Sequence, residues 1–419
     1  MPTFPDSETL AARCAADPEL SLACRFWTGG LRMAMGDHLT GFTVVDGMIS
    51  AGVPEPGDGV ISLAADAEVW EPLFLATPPP FANMAVLASL GEAGRGGIMR
   101  SGTEPLLWWQ YAPAAERVAE LLRAPGGERA DVVEAGATPR HDSPVGRYVH
   151  IDVDGVDHRI YYEEFGSGIP MLLQHTAGAH SLQYRHLFEM PEITDRFRLI
   201  AYDLPFHGKS IPPVGERWWE EQYKLEGAFL RQIPVGLASA LELDQPVFMG
   251  CSVGGLLALD LALHHPDVFR AVISLEGALT VSGNWDGLDG FWHPQVSNNS
   301  KARSMESLCA PTSPEPYVKE VSQVYSAGWP PAFLGDLYYY LVDYDLTERA
   351  GEIDTERVQV HILNGEYDWS GTPQGGMDAH HAIAGSTHTV MRGMGHFPMQ
   401  ENPVEFARHL VPILDKIAG

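Results

Sequence analysis

The sequence predicts an α/β fold: a mostly parallel sheet with helices on both faces and an inserted cap, preceded by a smaller α+β domain. Three observations carry this. In the second part of the chain, short apolar runs without polar alternation are separated by helical-looking stretches, as expected for strands buried on both faces. Residues 124–146, APGGERADVVEAGATPRHDSPVG, are rich in Gly, Pro and charge and read as a linker. Residues 1–123, in contrast, mix short helices with strands that look antiparallel.

Composition sets the outer bounds. Of 419 residues, 45% are hydrophobic and 20% charged, enough to bury a large core. There are 55 acidic against 27 basic residues, a net charge of −28. Such a surface repels nucleic acid and anionic lipid, so neither is expected as a partner. The four cysteines, Cys14, Cys24, Cys251 and Cys309, form no CxxC pair and no disulfide framework. The first residues carry no basic, apolar leader, and no apolar run is of spanning length. A soluble cytoplasmic protein is expected. No metal-site, dinucleotide or phosphate-loop motif is present, so no cofactor and no metal are expected.

In chain order, Glu8–Ala16 and Pro18–Phe26 read as helices. LRMAMGDHLTGFTVVDGMIS and GVISLAADAEVW read as antiparallel strands, with a turn at Asp46-Gly47 and a helix from about Asp66. Ala114–Arg123 reads as the closing helix. After the linker, RYVHIDVDGVDHRIYYEEFG alternates around Asp154-Gly155 and predicts a β-hairpin. Strands follow at Met171–Leu173, Phe197–Tyr202, Val247–Met249, Ala271–Leu275, Val358–Leu363 and Thr387–Met391. Helices are expected at Tyr223–Leu243 and Leu256–His264. The stretch 279–345, rich in Pro, Asn and aromatics between two strands, reads as a cap.

The chemistry centres on FMGCSVGGLLALDLA, residues 248–262, where a strand runs through Gly-Cys-Ser-Val-Gly-Gly into a helix. A turn this tight forces its central residue into strained φ/ψ. It also demands small residues two positions either side, here Gly250 and Gly254; Gly255 lets the helix approach the strand. Ser252 is the side chain lifted clear, and Cys251 points back into the sheet as packing. A serine hydroxyl needs a base to become a nucleophile. Downstream, VQVHILNGEYDW leads into a loop carrying Asp368, and THTVMRGMGHFPMQENP into a loop carrying His396. The order nucleophile, acid, histidine makes Ser252, Asp368 and His396 the candidate triad. Glu276, ending AVISLEGA, is the rival acid; Asp368 is preferred because its strand lies nearest in order to the histidine loop. Glu366 reads as a structural hydrogen-bonding residue. Oxyanion donors are expected from the Val253 N–H at the helix N-terminus and from Ala177 in LLQHTAGAHS. His175, Trp285, Trp292 and Phe397 are candidates for the substrate pocket. The cap aromatics, among them Tyr325, Phe333 and Tyr338–Tyr340, either line that pocket or pack the cap.

Five motifs in order, QHTAG, YDLPFHGKS, GCSVGG, GEYD and GHFPMQENP, make residues 147–419 resemble the α/β-hydrolase superfamily. The resemblance implies a serine hydrolase with the triad and oxyanion donors named above, and a structural role for His207. Thr176 stands where the family usually has glycine, and Pro205 replaces another common glycine. Residues 1–123 resemble the sterol carrier protein-like fold through GFTVVDGMIS…GVISLAADAEVWEPLF. That resemblance implies an apolar cavity; a dimerising or shielding domain is the other reading. Trp108-Trp109-Gln110-Tyr111 would line the cavity or fill a core. The expected substrate is a small apolar or aromatic ester or lactone. Diketone-type carbon–carbon hydrolysis and non-catalytic carriage of an apolar ligand remain alternatives. Assembly of copies through the N-terminal domain is compatible with the sequence.

Overall fold

The computed structural model describes residues 4–132 and 142–419. The chain divides into two compact units, Met1–Ala130 with His293–Ser307, and Asp131–Trp292 with Leu308–Gly419. Of the expected linker, residues 133–141 lie outside the described residues.

The first unit carries a five-stranded sheet of β1 (Gly29–Met35), β2 (His38–Val45), β3 (Met48–Ala51), β4 (Val60–Ala65) and β5 (Met99–Arg100), in the order β3-β2-β1-β4-β5. Asp46 and Gly47 both have positive φ and make the tight β2–β3 turn. β4 pairs parallel with β1, which corrects the antiparallel expectation. Alternation reports the buried face of a strand and says nothing of its direction. The closing helix is Pro105–Leu121, longer than expected. Pro113 hid its first half, because an interior proline normally ends a helical pattern. The core is aromatic, and a cleft of about 270 Å³ opens beside Leu22, Phe26, Tyr111 and Ala114. Trp27, Phe42 and Trp70 are fully buried, Tyr111 stacks on Trp27 at 4.8 Å, and the indole N–H groups of Trp27 and Trp70 donate to the carbonyls of Gly59 and Ala34. Tyr111 therefore packs core, and Trp108 receives the Arg100 guanidinium on its ring at 4.7 Å.

Residues 293–307 belong to this unit although they interrupt the sequence read as cap. The helix Asn298–Ser304 explains why: the Ser300 hydroxyl donates to the Gln110 carbonyl at 2.8 Å, Gln110 donates to the Gln295 carbonyl at 3.0 Å, and Arg303 pairs with Glu19.

The second unit holds an eight-stranded sheet. Its strands are β6 (Val145–Val153), β7 (Val156–Phe165), β8 (Ile169–Gln174), β9 (Phe197–Tyr202), β10 (Val247–Cys251), β11 (Ala271–Leu275), β12 (Gln359–Gly365) and β13 (Thr387–Met391). The order is β13-β12-β11-β10-β8-β9-β7-β6. β6 and β7 form the expected hairpin, with positive φ at Asp154 and Gly155. From β9 through β13 all pairings are parallel. The apolar runs mark strands buried on both faces: every residue of β10 and β11 is buried. Helices Gly227–Ala240, Val253–His264 and Pro403–Ala418 flank the sheet in sequence. The first of these accepts capping help from the insertion, where Asp343 takes the Gly227 N–H at 2.7 Å. Between β11 and β12 the insertion contributes helices Glu315–Ala327 and Pro330–Tyr338, then a π-helical turn, Tyr339–Asp343. Parallel strands share one direction, so the loops after β8, β10, β11, β12 and β13 all emerge at one end of the sheet.

Candidate functional site

Ser252 joins β10 to the helix Val253–His264 with φ 60° and ψ −114°. Its surroundings explain the glycines. A Cβ on Gly250 would sit 2.4 Å from the Gly254 carbonyl oxygen, and one on Gly255 would sit 2.1 Å from that of Leu275. The bend is pinned by the Ser252 N–H donating to Leu275 at 2.9 Å. Cys251 points the other way. It is fully buried, its thiol donates to the His396 carbonyl at 3.1 Å, and burial, helped by nearby Glu276 and Asp368, holds its pKa well above the ordinary value. A thiol in that state is no nucleophile.

The loops after β12 and β13 bring Asp368 and His396 together, with Nδ1–H of the ring donating to Oδ2 at 2.6 Å. Asp368 is fully buried, yet His396, aided by the Ser370 N–H at 2.7 Å and the Gly371 N–H at 2.9 Å, outweighs the burial penalty and lowers its pKa. The Cys251 contact holds the His396 main chain against the elbow. Among the described residues no hydrogen bond joins the Ser252 hydroxyl to the His396 ring. Tyr340 of the π-helical turn has its hydroxyl 3.0 Å from Ser370 Oγ, and Ser252 is among the groups that act on its ionisation. Catalytic hydrogen bonds often tighten only when substrate is bound.

The backbone N–H groups of Val253 and Ala177, the expected oxyanion donors, have no acceptor among the described residues. Val253 begins its helix, where no carbonyl four residues back is available. Ala177 lies buried in the loop after β8. The neighbouring Gly178 N–H is already used, donating to Asp336 at 2.7 Å. Thr176, the residue in place of glycine, has a local reason. Its N–H and hydroxyl both donate to Gln183, and the hydroxyl meets Tyr325 at 2.5 Å, so the side chain ties the loop to the segment Ser181–Glu189 and to the helix Glu315–Ala327.

The pocket candidates divide. Phe397 is fully buried, edge-on to His396 at 4.9 Å and to Tyr325 at 5.6 Å, and Tyr325 meets Phe333 at 5.7 Å. This is an aromatic wall beside the histidine. His175 is not available to a substrate. Its Nε2 accepts the Leu204 N–H and its Nδ1–H donates to the Thr176 carbonyl, while burial pushes its pKa down to about 3. It is a neutral brace. Trp285 donates to the Leu334 carbonyl at 2.9 Å and packs edge-on against Tyr338, and Trp292 is 47% exposed. Neither is tied to the triad by any contact described. His207 is structural as the resemblance implied: burial opposes its charge, but Asp336 at 2.8 Å and the Pro205 carbonyl raise its pKa. Glu366 takes the Gly393 N–H at 2.9 Å and shapes the histidine loop.

Two residues escaped sequence reasoning. Tyr340 is one aromatic among many in the sequence, and nothing local marks the π turn, a feature found often at functional sites, that carries it. Asp336 carries no local signature. It gathers the Gly178 N–H, the His207 ring and the Tyr223 hydroxyl, and no local pattern announces such a hub.

Comparison with known proteins agrees with this fold. Residues 169–403, more than half of the chain, match the family described as alpha/beta hydrolase fold. The 2-hydroxymuconate semialdehyde hydrolase of Pseudomonas sp. (strain CF600) is 28% identical over 37% of this chain and 51% of its own. The 2-hydroxy-6-oxo-2,4-heptadienoate hydrolase of Pseudomonas putida is 33% identical over 33% of this chain and 49% of its own. The chain thus spans about half the length of these curated relatives. Among solved structures, a thermophilic esterase from Thermogutta terrifontis superposes with a TM-score of 0.57 at 18% identity, covering 66% of this chain and 100% of that one. The enol-lactonase from Burkholderia xenovorans LB400 gives 0.52 at 18% identity, covering 64% and 98%. Fold, motif order and family match converge, and the chain belongs to the alpha/beta hydrolase family.

Proposed function

We propose that the chain is a serine hydrolase that cleaves a carboxylic ester or lactone through an acyl-enzyme. The observation that carries this is the Asp368–His396 hydrogen bond beside a strained, buried Ser252. Asp368 orients His396 so that Nε2 faces outward as the base. His396 takes the Ser252 proton as Oγ attacks the substrate carbonyl, and the new oxyanion is received by the N–H groups of Val253 and Ala177. Collapse expels the alcohol, protonated by His396, and water then frees the acid by the same steps. Burial keeps the Tyr340 phenol protonated, so its O–H is a further donor near Ser252. The wall of Phe397, Tyr325 and Phe333 suits an apolar or aromatic acyl group.

A second reading, hydrolysis of a carbon–carbon bond in a diketone-type substrate by the same triad, is favoured by the names of the two Pseudomonas relatives. A fluorophosphonate probe tests the shared premise. Labelling lost in Ser252→Ala and kept in Cys251→Ala supports the hydrolase, whereas an unlabelled wild type would favour a non-catalytic carrier. Turnover of p-nitrophenyl esters of increasing chain length, beside a vinylogous diketone, separates the two reactions. For the first unit we propose a role in packing or assembly of copies, since its core is built on the buried Trp27, Phe42 and Trp70. Sedimentation velocity tests the assembly.

A further inference from the structure

Glu276 is the first residue after β11, and its conformation is costly. It has φ +56° although it carries a Cβ, and its carboxyl is wholly buried. The backbone holds it there, with its N–H donating to the Leu363 carbonyl at 2.8 Å. Both carboxyl oxygens lie within reach of the Gly365 N–H, at 2.8 and 3.0 Å, where β12 hands over to the Asp368 loop. Asp368 lies beside it: a Cβ on Gly371 would sit 2.2 Å from the Glu276 carbonyl oxygen and 2.9 Å from Asp368 Oδ2, and each carboxyl acts on the other's ionisation.

Two buried carboxyls side by side do not both ionise, and the donors around them decide which keeps the proton. Asp368 receives three N–H groups, from His396, Ser370 and Gly371. Glu276 receives the single N–H of Gly365. The proton therefore resides on Glu276, and its O–H is available to fill the fourth acceptor position of the Asp368 carboxylate. The other ionisable groups facing Glu276 are the Cys251 thiol on β10 and the Glu401 carboxyl on the helix Pro398–Glu401. Burial keeps the thiol protonated and raises Glu401 to about 8. Near neutral pH Asp368 is thus the charged member of the cluster.

We infer that Glu276 is a positioning residue of the triad: its carboxylic acid O–H donates to Asp368 and fixes the carboxylate against His396. The inference rests on the hydrolase reading for its kinetic consequences, although the hydrogen bond itself does not.

Three readouts test it on the full chain: kcat and KM for a p-nitrophenyl ester across pH, thermal melting, and the downfield proton resonance of the His396 Nδ1–H. In Glu276→Gln the amide accepts from Gly365 and donates to Asp368. It should keep kcat within about threefold at neutral pH, retain the downfield resonance, and lose the decline that the wild type shows at alkaline pH as Glu276 ionises. Glu276→Ala removes the donor. It should lower kcat by roughly 10- to 100-fold with KM little changed, shift the resonance, and move the acid limb of kcat/KM to higher pH, because an undonated Asp368 holds the imidazolium more tightly. The inference is overturned if a folded Glu276→Ala keeps wild-type kcat, resonance and pH profile, or if Glu276→Gln is as impaired as Glu276→Ala. Loss of activity in Glu276→Gln with survival in Asp368→Asn would instead make Glu276 the acid. A wild type that turns over no ester and takes no fluorophosphonate label defeats the hydrolase reading. The resonance in the wild type and both variants would then still decide the hydrogen bond.

Discussion

The two units build their sheets from similar apolar material and use them differently. In the second, the parallel run from β9 to β13 sends successive loops to one end, and Ala177, Ser252, Glu276, Asp368 and His396 each follow a different strand. In the first, three of the four pairings are antiparallel and one, β1–β4, is parallel, so its connections leave at both ends. The two indoles bond carbonyls, and Arg117 binds Asp17 at 2.7 Å and Glu120 at 2.8 Å. In the second unit Ser252 is held at positive φ at the end of β10, and Asp368 and His396 meet at the same end of the sheet. Chemistry is supported where the loops of parallel strands gather, and that is where α/β sheets concentrate their sites.

This contrast can be broken or sharpened by experiment. The largest effect is expected for Asp368→Asn, which keeps the shape and loses the orientation of His396; ester turnover should fall roughly 10⁴-fold. A loss of tenfold or less would mean that Asp368 is dispensable. Tyr340→Phe removes the hydroxyl near Ser252 and leaves the ring. We expect kcat/KM to drop about tenfold, the scale of one hydrogen bond of 1–1.5 kcal/mol, with slower fluorophosphonate labelling; an unchanged labelling rate would reduce Tyr340 to packing. Trp27→Ala should destabilise the first unit by about 3–5 kcal/mol, seen as an earlier melting step, with kcat at 25 °C unchanged. A parallel loss of kcat would erase the division of labour drawn here.

The smallest effect concerns Glu401, which takes the Gly395 and Ala310 N–H groups behind the histidine loop. Burial raises its pKa to about 8 in the folded chain, above the ordinary carboxyl value. The folded state thus holds a proton that the unfolded chain releases. Its stabilising contribution is complete below the ordinary carboxyl pKa and fades as pH rises towards 8. Glu401→Gln should flatten the fall in melting temperature between pH 5 and pH 8; an identical slope in the variant would assign that fall to other groups.

Much of the second unit was legible because its signals are local. Strand runs at Phe197–Tyr202, Ala271–Leu275 and Thr387–Met391 needed only their own residues, and the elbow needed only glycines at 250, 254 and 255 around Ser252. The first unit was harder. The direction of β4 depends on which neighbour it meets, and the helix Pro105–Leu121 runs through a proline that local rules treat as a stop. The pocket was hardest, since His175 reads as a ligand until its two nitrogens are found bonded to backbone.

The sequence by itself determined where the chain bends at Ser252, the order of nucleophile, acid and histidine, and the parallel sheet that orders them. These follow from residue size and hydrophobic periodicity over a few positions. Only the tertiary structure decided that Asp368 rather than Glu276 meets His396, that Tyr340 meets Ser370 beside the Asp368 loop, and that 293–307 joins the first unit. Those outcomes depend on hydrogen bonds and burial between residues distant in the chain, and no local pattern encodes such pairings.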